Sequence, residues 1–173
     1  MGKSVAAGLI AAGLLAGPGL AVWAQEDEEE ENPAGLAKVL PEASVSLEQG
    51  LEASEREGRP ISAKYELSDG GLQLSVYTVK GDRFEEVIVD HKSGTISKAE
   101  PITEGDDLKN ARAQGQAMAQ AKRPLAQAVT ETAKANGGFR PVRAIPSLKD
   151  GHPVAEVTLM QGDNVKRVSE KLD

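Results

Sequence analysis

From Leu72 to Thr78 the side chains alternate, with Leu72, Leu74, Val76 and Thr78 on one side and Gln73, Ser75 and Tyr77 on the other. A period of two predicts a strand with one buried face. The stretch before it, Pro60 to Leu67, places Ile61, Ala63, Tyr65 and Leu67 on one face and predicts a second strand. Phe84 to Asp90 predicts a third, with Val87 and Val89 on one side and Phe84 and Ile88 on the other. The joints suit tight turns. Asp69-Gly70 provides residues that tolerate positive φ, and Gly81-Asp82 places Gly first, as a type II′ turn requires. Three strands so joined form an antiparallel meander with a face that needs cover. The cover is predicted just upstream. Ser46-Leu47-Glu48-Gln49 reads as a capping box, Leu47, Gly50, Leu51 and Ser54 make one helical stripe, and Gly58 is the expected stop.

The same landmarks return 81 residues later. Arg59-Pro60-Ile61 recurs as Arg140-Pro141-Val142, Asp69-Gly70 as Asp150-Gly151, Gly81-Asp82 as Gly162-Asp163, and Val76 and Val87 as Val157 and Val168. A second covering helix starts at Pro124, the expected first helical residue. It has a stripe of Leu125, Ala128, Val129, Thr132 and Ala133 and a stop at Asn136-Gly137-Gly138. Leu47 and Leu125 are 78 residues apart, so three extra residues fall between helix and first strand. Fixed-period similarity implies one structural unit used twice. After the first meander, His91-Lys92-Ser93-Gly94 turns the chain into a short fourth strand, Thr95 to Ser97, for which the second stretch has no room. Thr95 to Ile102, interrupted by Pro101, is therefore an expected sheet edge without a counterpart. Leu108 to Lys122 is Ala- and Gln-rich with a poor stripe (Leu108, Ala111, Met118, Ala119), which predicts a helix lying over the first sheet or bridging the units. The fold class expected is α+β: two tandem helix-plus-antiparallel-sheet units, residues 41–102 and 124–173, joined by an Ala-rich helix within 103–123.

The amino terminus has a different character. Lys3, an apolar run from Val5 to Val22 and Val22-Trp23-Ala24 have the layout of a secretory signal peptide over residues 1–24. An uncleaved anchor is the alternative. The glycines and Pro18 within the run, together with the small-x-small site, favour cleavage between Ala24 and Gln25 and a periplasmic or secreted protein with no membrane span after cleavage. Residues 25–40 carry the acidic run Glu26 to Glu31, expected to be a solvated, disordered tether. The chain has no cysteine, so the fold must be held by its core, and 3% aromatic residues make that core aliphatic. A formal net charge of −7 argues against nucleic acid as a partner.

No motif for chemistry stands out. His91 and His152 fall in turns, without the spacing of a zinc site, and there is no G-x-S-x-G, P-loop or G-x-G-x-x-G. Asp69, Asp82, Asp150 and Asp163 are turn residues beside Gly, where Asp is favoured by side-chain hydrogen bonds to the backbone. Neither catalytic residues, a metal nor a cofactor is expected. Arg59 and Arg140, which precede the first strand of each unit, are candidate anion or partner contacts.

The helix, the segment Gly58-Arg59-Pro60-Ile61-Ser62-Ala63-Lys64-Tyr65-Glu66-Leu67, the hairpin and Val89-Asp90 to Gly94-Thr95 together resemble a PepSY domain, whose most recognisable piece is the final V-D-x-x-x-G turn. The likeness covers Val45 to Ile102. It continues over Pro124 to Asp173 but departs at the end, where Leu172-Asp173 stands for Val89-Asp90 some three residues out of register and the glycine turn is missing. The resemblance implies an exported, non-catalytic α+β module of the kind found in propeptides of thermolysin-type metallopeptidases, one that binds or inhibits a peptidase. Its surface of action is expected at the edge around Ile96. The alternative is a small-ligand or cation sensor using a cleft lined by Arg59 and Arg140, or the acidic tail.

Overall fold

The structure, a computed structural model, describes residues 32–69 and 71–173. The expected signal peptide, its Ala24/Gln25 cleavage site, the acidic run and the conformation of Gly70 lie outside the described residues. Residues 31–173 form one compact unit.

Among the described residues four α-helices and seven strands follow in chain order: α1 Pro33–Val39, α2 Leu47–Ser54, β1 Arg59–Ser68, β2 Gly71–Lys80, β3 Arg83–Val89, β4 Ile96–Ile102, α3 Gly105–Gln120, α4 Leu125–Ala135, β5 Arg140–Lys149, β6 His152–Gln161 and β7 Asn164–Lys171. A turn of 3-10 helix, Leu40–Glu42, separates α1 from α2. The strands make one antiparallel sheet in the order β4-β3-β2-β1-β5-β6-β7. Each half is a meander, and the halves meet where β1 pairs with β5, at Ala63↔Ala144 and Lys64↔Arg143. The pairing elsewhere keeps the 81-residue spacing. Val76 pairs with Val87 and Val157 with Val168, and bulges fall at Pro60/Ser62 and Pro141/Arg143.

The helices take opposite faces of the sheet. Leu74 of β2 lies against Gly50 of α2, where an added Cβ would come within 2.6 Å of it. Tyr77, on the other side of the same strand, donates from its hydroxyl to Asp107 of α3 at 2.8 Å. Alternation therefore aims Leu74, Val76 and Thr78 at α2, and Ser75 and Tyr77 at α3. α2 also packs on α4, and α3 runs across β1 to β6. Because α3 covers the second face, Tyr77 and Ser75 are buried as well as the aliphatic row. Leu47, Leu51, Leu74, Val76, Val87, Val129, Val157 and Leu159 are all essentially inaccessible and form one contiguous core. Each such side chain contributes about 1.5–3 kcal/mol on burial. Two of the buried polar side chains are paired within this core: Ser62 Oγ donates to Gln114 Oε1 at 2.7 Å, and Thr132 Oγ1 to the Ala128 carbonyl at 2.8 Å.

Several expectations are met closely. Ser46 and Gln49 form both halves of the capping box, and Leu47, Gly50, Leu51 and Ser54 are the buried stripe of α2. Asp69 and Asp150 have φ of 49° and 52°, Gly151 has 80°, and Gly81 and Gly162 have 63° and 57°.

Other expectations are corrected. The stretch assigned to a disordered tether contains α1, because Asn32 accepts from the Gly35 N–H at 2.8 Å and Pro33 is set for the first turn. Pro124 caps α4 from outside, with ψ of 145°, and the helix begins at Leu125. α2 ends at Ser54, before Gly58. Gly58 instead admits the β2 backbone, since an added Cβ would stand 2.9 Å from the Val79 carbonyl oxygen. The bulge at Pro60/Ser62 takes Ile61 out of line with Ala63 and Tyr65 and sets it beside Gly115 of α3. α3 buries a stripe of Ala111, Gln114, Gly115 and Met118, while Ala119 is exposed. Leu172 does not stand in for Val89. Its carbonyl takes the N–H groups of Lys122 and Arg123, as the His91 carbonyl takes those of Ser44 and Val45.

Val157 sits at the centre of the second meander and is 0% exposed. Val157→Asp places a carboxylate there without a partner and is expected to lower stability by about 3 kcal/mol or more, read as a shift in the urea unfolding midpoint.

Candidate interaction site

Among the described residues the sheet ends at β4 on one side and β7 on the other. β4 is the edge expected from the sequence, longer than the three residues assigned to it. Ser97 to Pro101 are exposed, while Ile96 and Ile102 at its two ends turn partly into the core. A register shift between Ile88 and Val89, opposite the start of β4, leaves Ser97 unpaired in the ladder, and its hydroxyl donates to the Ile88 carbonyl at 3.1 Å. Pro101 removes one donor from the free edge. The turn that delivers β4 is fixed by Asp90. One carboxylate oxygen accepts from Ser93 N–H at 2.7 Å, Lys92 N–H at 3.0 Å and Ser93 Oγ at 2.9 Å, while Gly94 adopts φ of 76°. These donors, the Ser93 N–H foremost, hold the Asp90 carboxyl below its ordinary pKa.

Arg59 and Arg140 do not converge on one cleft. Arg140 is spent on the fold. Nη1 donates to the carbonyls of Leu40 and Ala43 at 3.1 and 3.0 Å, and Nη2 to the Val45 carbonyl at 2.7 Å and the Tyr65 hydroxyl at 3.3 Å. Its guanidinium also lies 5.3 Å from the Tyr65 ring centre. The Tyr65 hydroxyl donates to the Val45 carbonyl as well. Burial raises the Tyr65 pKa, and Arg140 acts against that rise. One arginine of β5 thus gathers three carbonyls of the segment leading into α2, two of which also accept a second donor, Ala43 N–H at Leu40 and the Tyr65 hydroxyl at Val45. Arg59 does less: Nη1 donates to the Met118 carbonyl at 3.2 Å, and the residue is otherwise exposed. It lines a groove of about 690 Å³ between α3 and the β2–β3 turn, shared with Arg112.

Two contributors were missed from the sequence. Tyr65 is buried in the core, as its strand face predicts, but its contact with Arg140 was not foreseen; its counterpart 81 residues on is Pro146, and that asymmetry was the available signal. Arg112 lies on the exposed side of α3 and carried no motif.

The histidines have different surroundings. Among the described residues the Nε2 of His91 is buried with no hydrogen-bond partner, and His152, the first residue of β6, pairs with Asp173 at 2.9 Å. Among the described residues no three His, Cys, Asp or Glu side chains gather as a metal would need, and no helix is long and apolar enough to cross a membrane.

Arg140→Lys keeps the charge but cannot span three carbonyls with one ammonium. It is expected to lower stability by about 2–3 kcal/mol, because the Ala43 carbonyl loses its charged donor and those of Leu40 and Val45 each lose one of two. Arg59→Lys, with one acceptor at stake, is expected to cost less than about 1 kcal/mol. Thermal unfolding of the two variants side by side checks the difference.

No family model matches the chain, and no curated protein matches it. Among solved structures it is similar to a "putative lipoprotein" of Clostridium difficile 630, with a TM-score of 0.44 and 10% identity over 76% of this chain and 88% of that one.

Proposed function

We propose that the protein is an exported, non-catalytic module built from two copies of a PepSY-like unit, which works by binding an envelope protein, with a peptidase as the partner class, in the periplasm or outside the cell. The two-copy reading is supported by contacts that recur at the sequence spacing. Ser54 donates to the Gly50 carbonyl in α2 as Thr132 does to that of Ala128 in α4. Arg59 reaches the Met118 carbonyl ahead of α4 as Arg140 reaches that of Leu40 ahead of α2. The PepSY-like reading is supported by helix, meander and the Asp90 turn standing in the order the family implies.

The single observation that carries the binding role is the free edge of β4. Its exposed middle offers unpaired main-chain groups to an extended peptide, and Ile96 offers an apolar foothold beside them. Strand addition at such an edge draws affinity from the backbone and selectivity from alternate side chains. A peptidase presents extended chain at its own active-site cleft, so this edge suits it. The other edge, β7, is more basic, with Lys166, Arg167 and Lys171 along it, and charge of that kind protects an edge from pairing.

The test uses purified protein lacking residues 1–24 and a thermolysin-type metallopeptidase. The protein is expected to slow peptide hydrolysis in proportion to its concentration and to hydrolyse no peptide, ester or phosphate itself. Ile96→Lys is expected to weaken inhibition by about tenfold while the protein remains folded by circular dichroism. Metal-dependent turnover that disappears on replacing His91 or His152 contradicts the non-catalytic reading, and undiminished inhibition by Ile96→Lys contradicts the β4 surface.

A further inference from the structure

Arg59 and Arg140 head β1 and β5 at the same place in the 81-residue spacing, yet their guanidinium groups are used differently. Arg140 makes four hydrogen bonds and stacks near Tyr65. Arg59 makes one, to the Met118 carbonyl, and is exposed. Beside it, Arg112 is exposed and has no hydrogen-bond or ion-pair partner among the described residues. Both arginines line the same groove of about 690 Å³, and none of its nine lining residues is acidic. This occurs in a chain whose formal net charge is −7. Of the two carboxylates of α3, Asp106 and Asp107, Asp107 accepts from the Tyr77 hydroxyl.

Between the two arginines the lining of the groove is largely apolar. Phe84, Val79 and Ala119 are among its lining residues, together with Gln116. Gly115 keeps the Phe84 ring against the helix, since an added Cβ would meet its Cε1 at 3.0 Å. Two cations facing one apolar groove repel each other, and an anion between them relieves that repulsion while gaining charge-assisted hydrogen bonds. From these residues we infer that the groove binds the free carboxyl terminus of a peptide whose last side chain is apolar.

Each part of such a ligand has a match. The planar fork of an arginine fits a carboxylate bidentately. An apolar terminal side chain covers Phe84, Val79 and Ala119. The amide of Gln116 offers a donor and an acceptor, as a peptide group requires. Arg112 to Ala119 spans about 10 Å along α3, which accommodates about three extended residues. This site is separate from the β4 edge and does not depend on it.

The experiment is an NMR titration of the protein lacking residues 1–24 with acetyl-Ala-Ala-Phe as the free acid, the same peptide as its carboxyl-terminal amide, decanoate, and acetate. The free acid is expected to shift the amide signals of Gly81, Phe84 and Gly115. The peptide amide and both simple acids are expected to bind at least about tenfold more weakly, the loss of one charge-assisted contact or of the peptide contacts. Arg112→Gln removes an exposed side chain with no partner, so it is expected to leave the melting temperature unchanged and weaken free-acid binding about tenfold. Arg59→Gln is expected to weaken it similarly. The inference is overturned by equal binding of acid and amide, by no shifts at all, by shifts centred elsewhere, or by unchanged affinity in Arg112→Gln. Decanoate binding more tightly than the peptide also overturns it and assigns the groove to free amphipathic acids.

Discussion

The antiparallel pairing of β1 with β5 is the contact on which the rest of the structure depends. It is short, Ala63↔Ala144 and Lys64↔Arg143, but it turns two meanders into one seven-stranded sheet. The two alanines at the seam are 1% and 0% exposed. Ala63 pairs with Val76, whose face is turned toward α2, so small side chains lie where α2 and α4 pack on each other. On the other face α3 spans both sides of the seam. With 3% aromatic residues and no disulfide, neither meander has enough of its own to bury, and the shared core is what makes either stable.

Polar contacts across the seam are fewer but directional. Arg140 of β5 satisfies the carbonyls of Leu40, Ala43 and Val45, which lead into the helix of the other half. Hydrogen bonds to a charged donor contribute about 1.5–3 kcal/mol each, against about 0–1 kcal/mol for exposed ion pairs such as Lys98–Glu100. The surface ion pairs therefore matter little, and Arg140 matters because one charged group donates to three backbone carbonyls. The same position in the first half, Arg59, carries a lighter structural load and is left to face the groove.

The strands, the two-residue turns, α2 and α4 were legible because each is written in local chemistry: alternation, Asp-Gly or Gly-Asp, a capping box, a 3.6-residue stripe. The elements misread depend on distant partners. The Asn32-Pro33 start of α1 was hidden behind the acidic run that precedes it. Ile61 fits a strand alternation perfectly well, and only the bulge and the nearness of Gly115 reveal that it serves α3. Gly58 had the look of a helix stop, but its need is for room beside the Val79 carbonyl. The roles of Arg140 and Arg112 rest on which carbonyls and which groove the fold brings to them, and a sequence does not print those.

The central claim is that residues on both sides of the seam belong to one cooperative structure held together at Ala63 and Ala144. Native-state hydrogen exchange measured against low concentrations of denaturant tests it most directly. The account predicts that protected amides of β1, β2, β5 and β6, around Ala63, Val76, Ala144 and Val157, exchange through a single opening whose free energy equals that of global unfolding. A lower-energy opening that releases one meander while the other stays protected would contradict it.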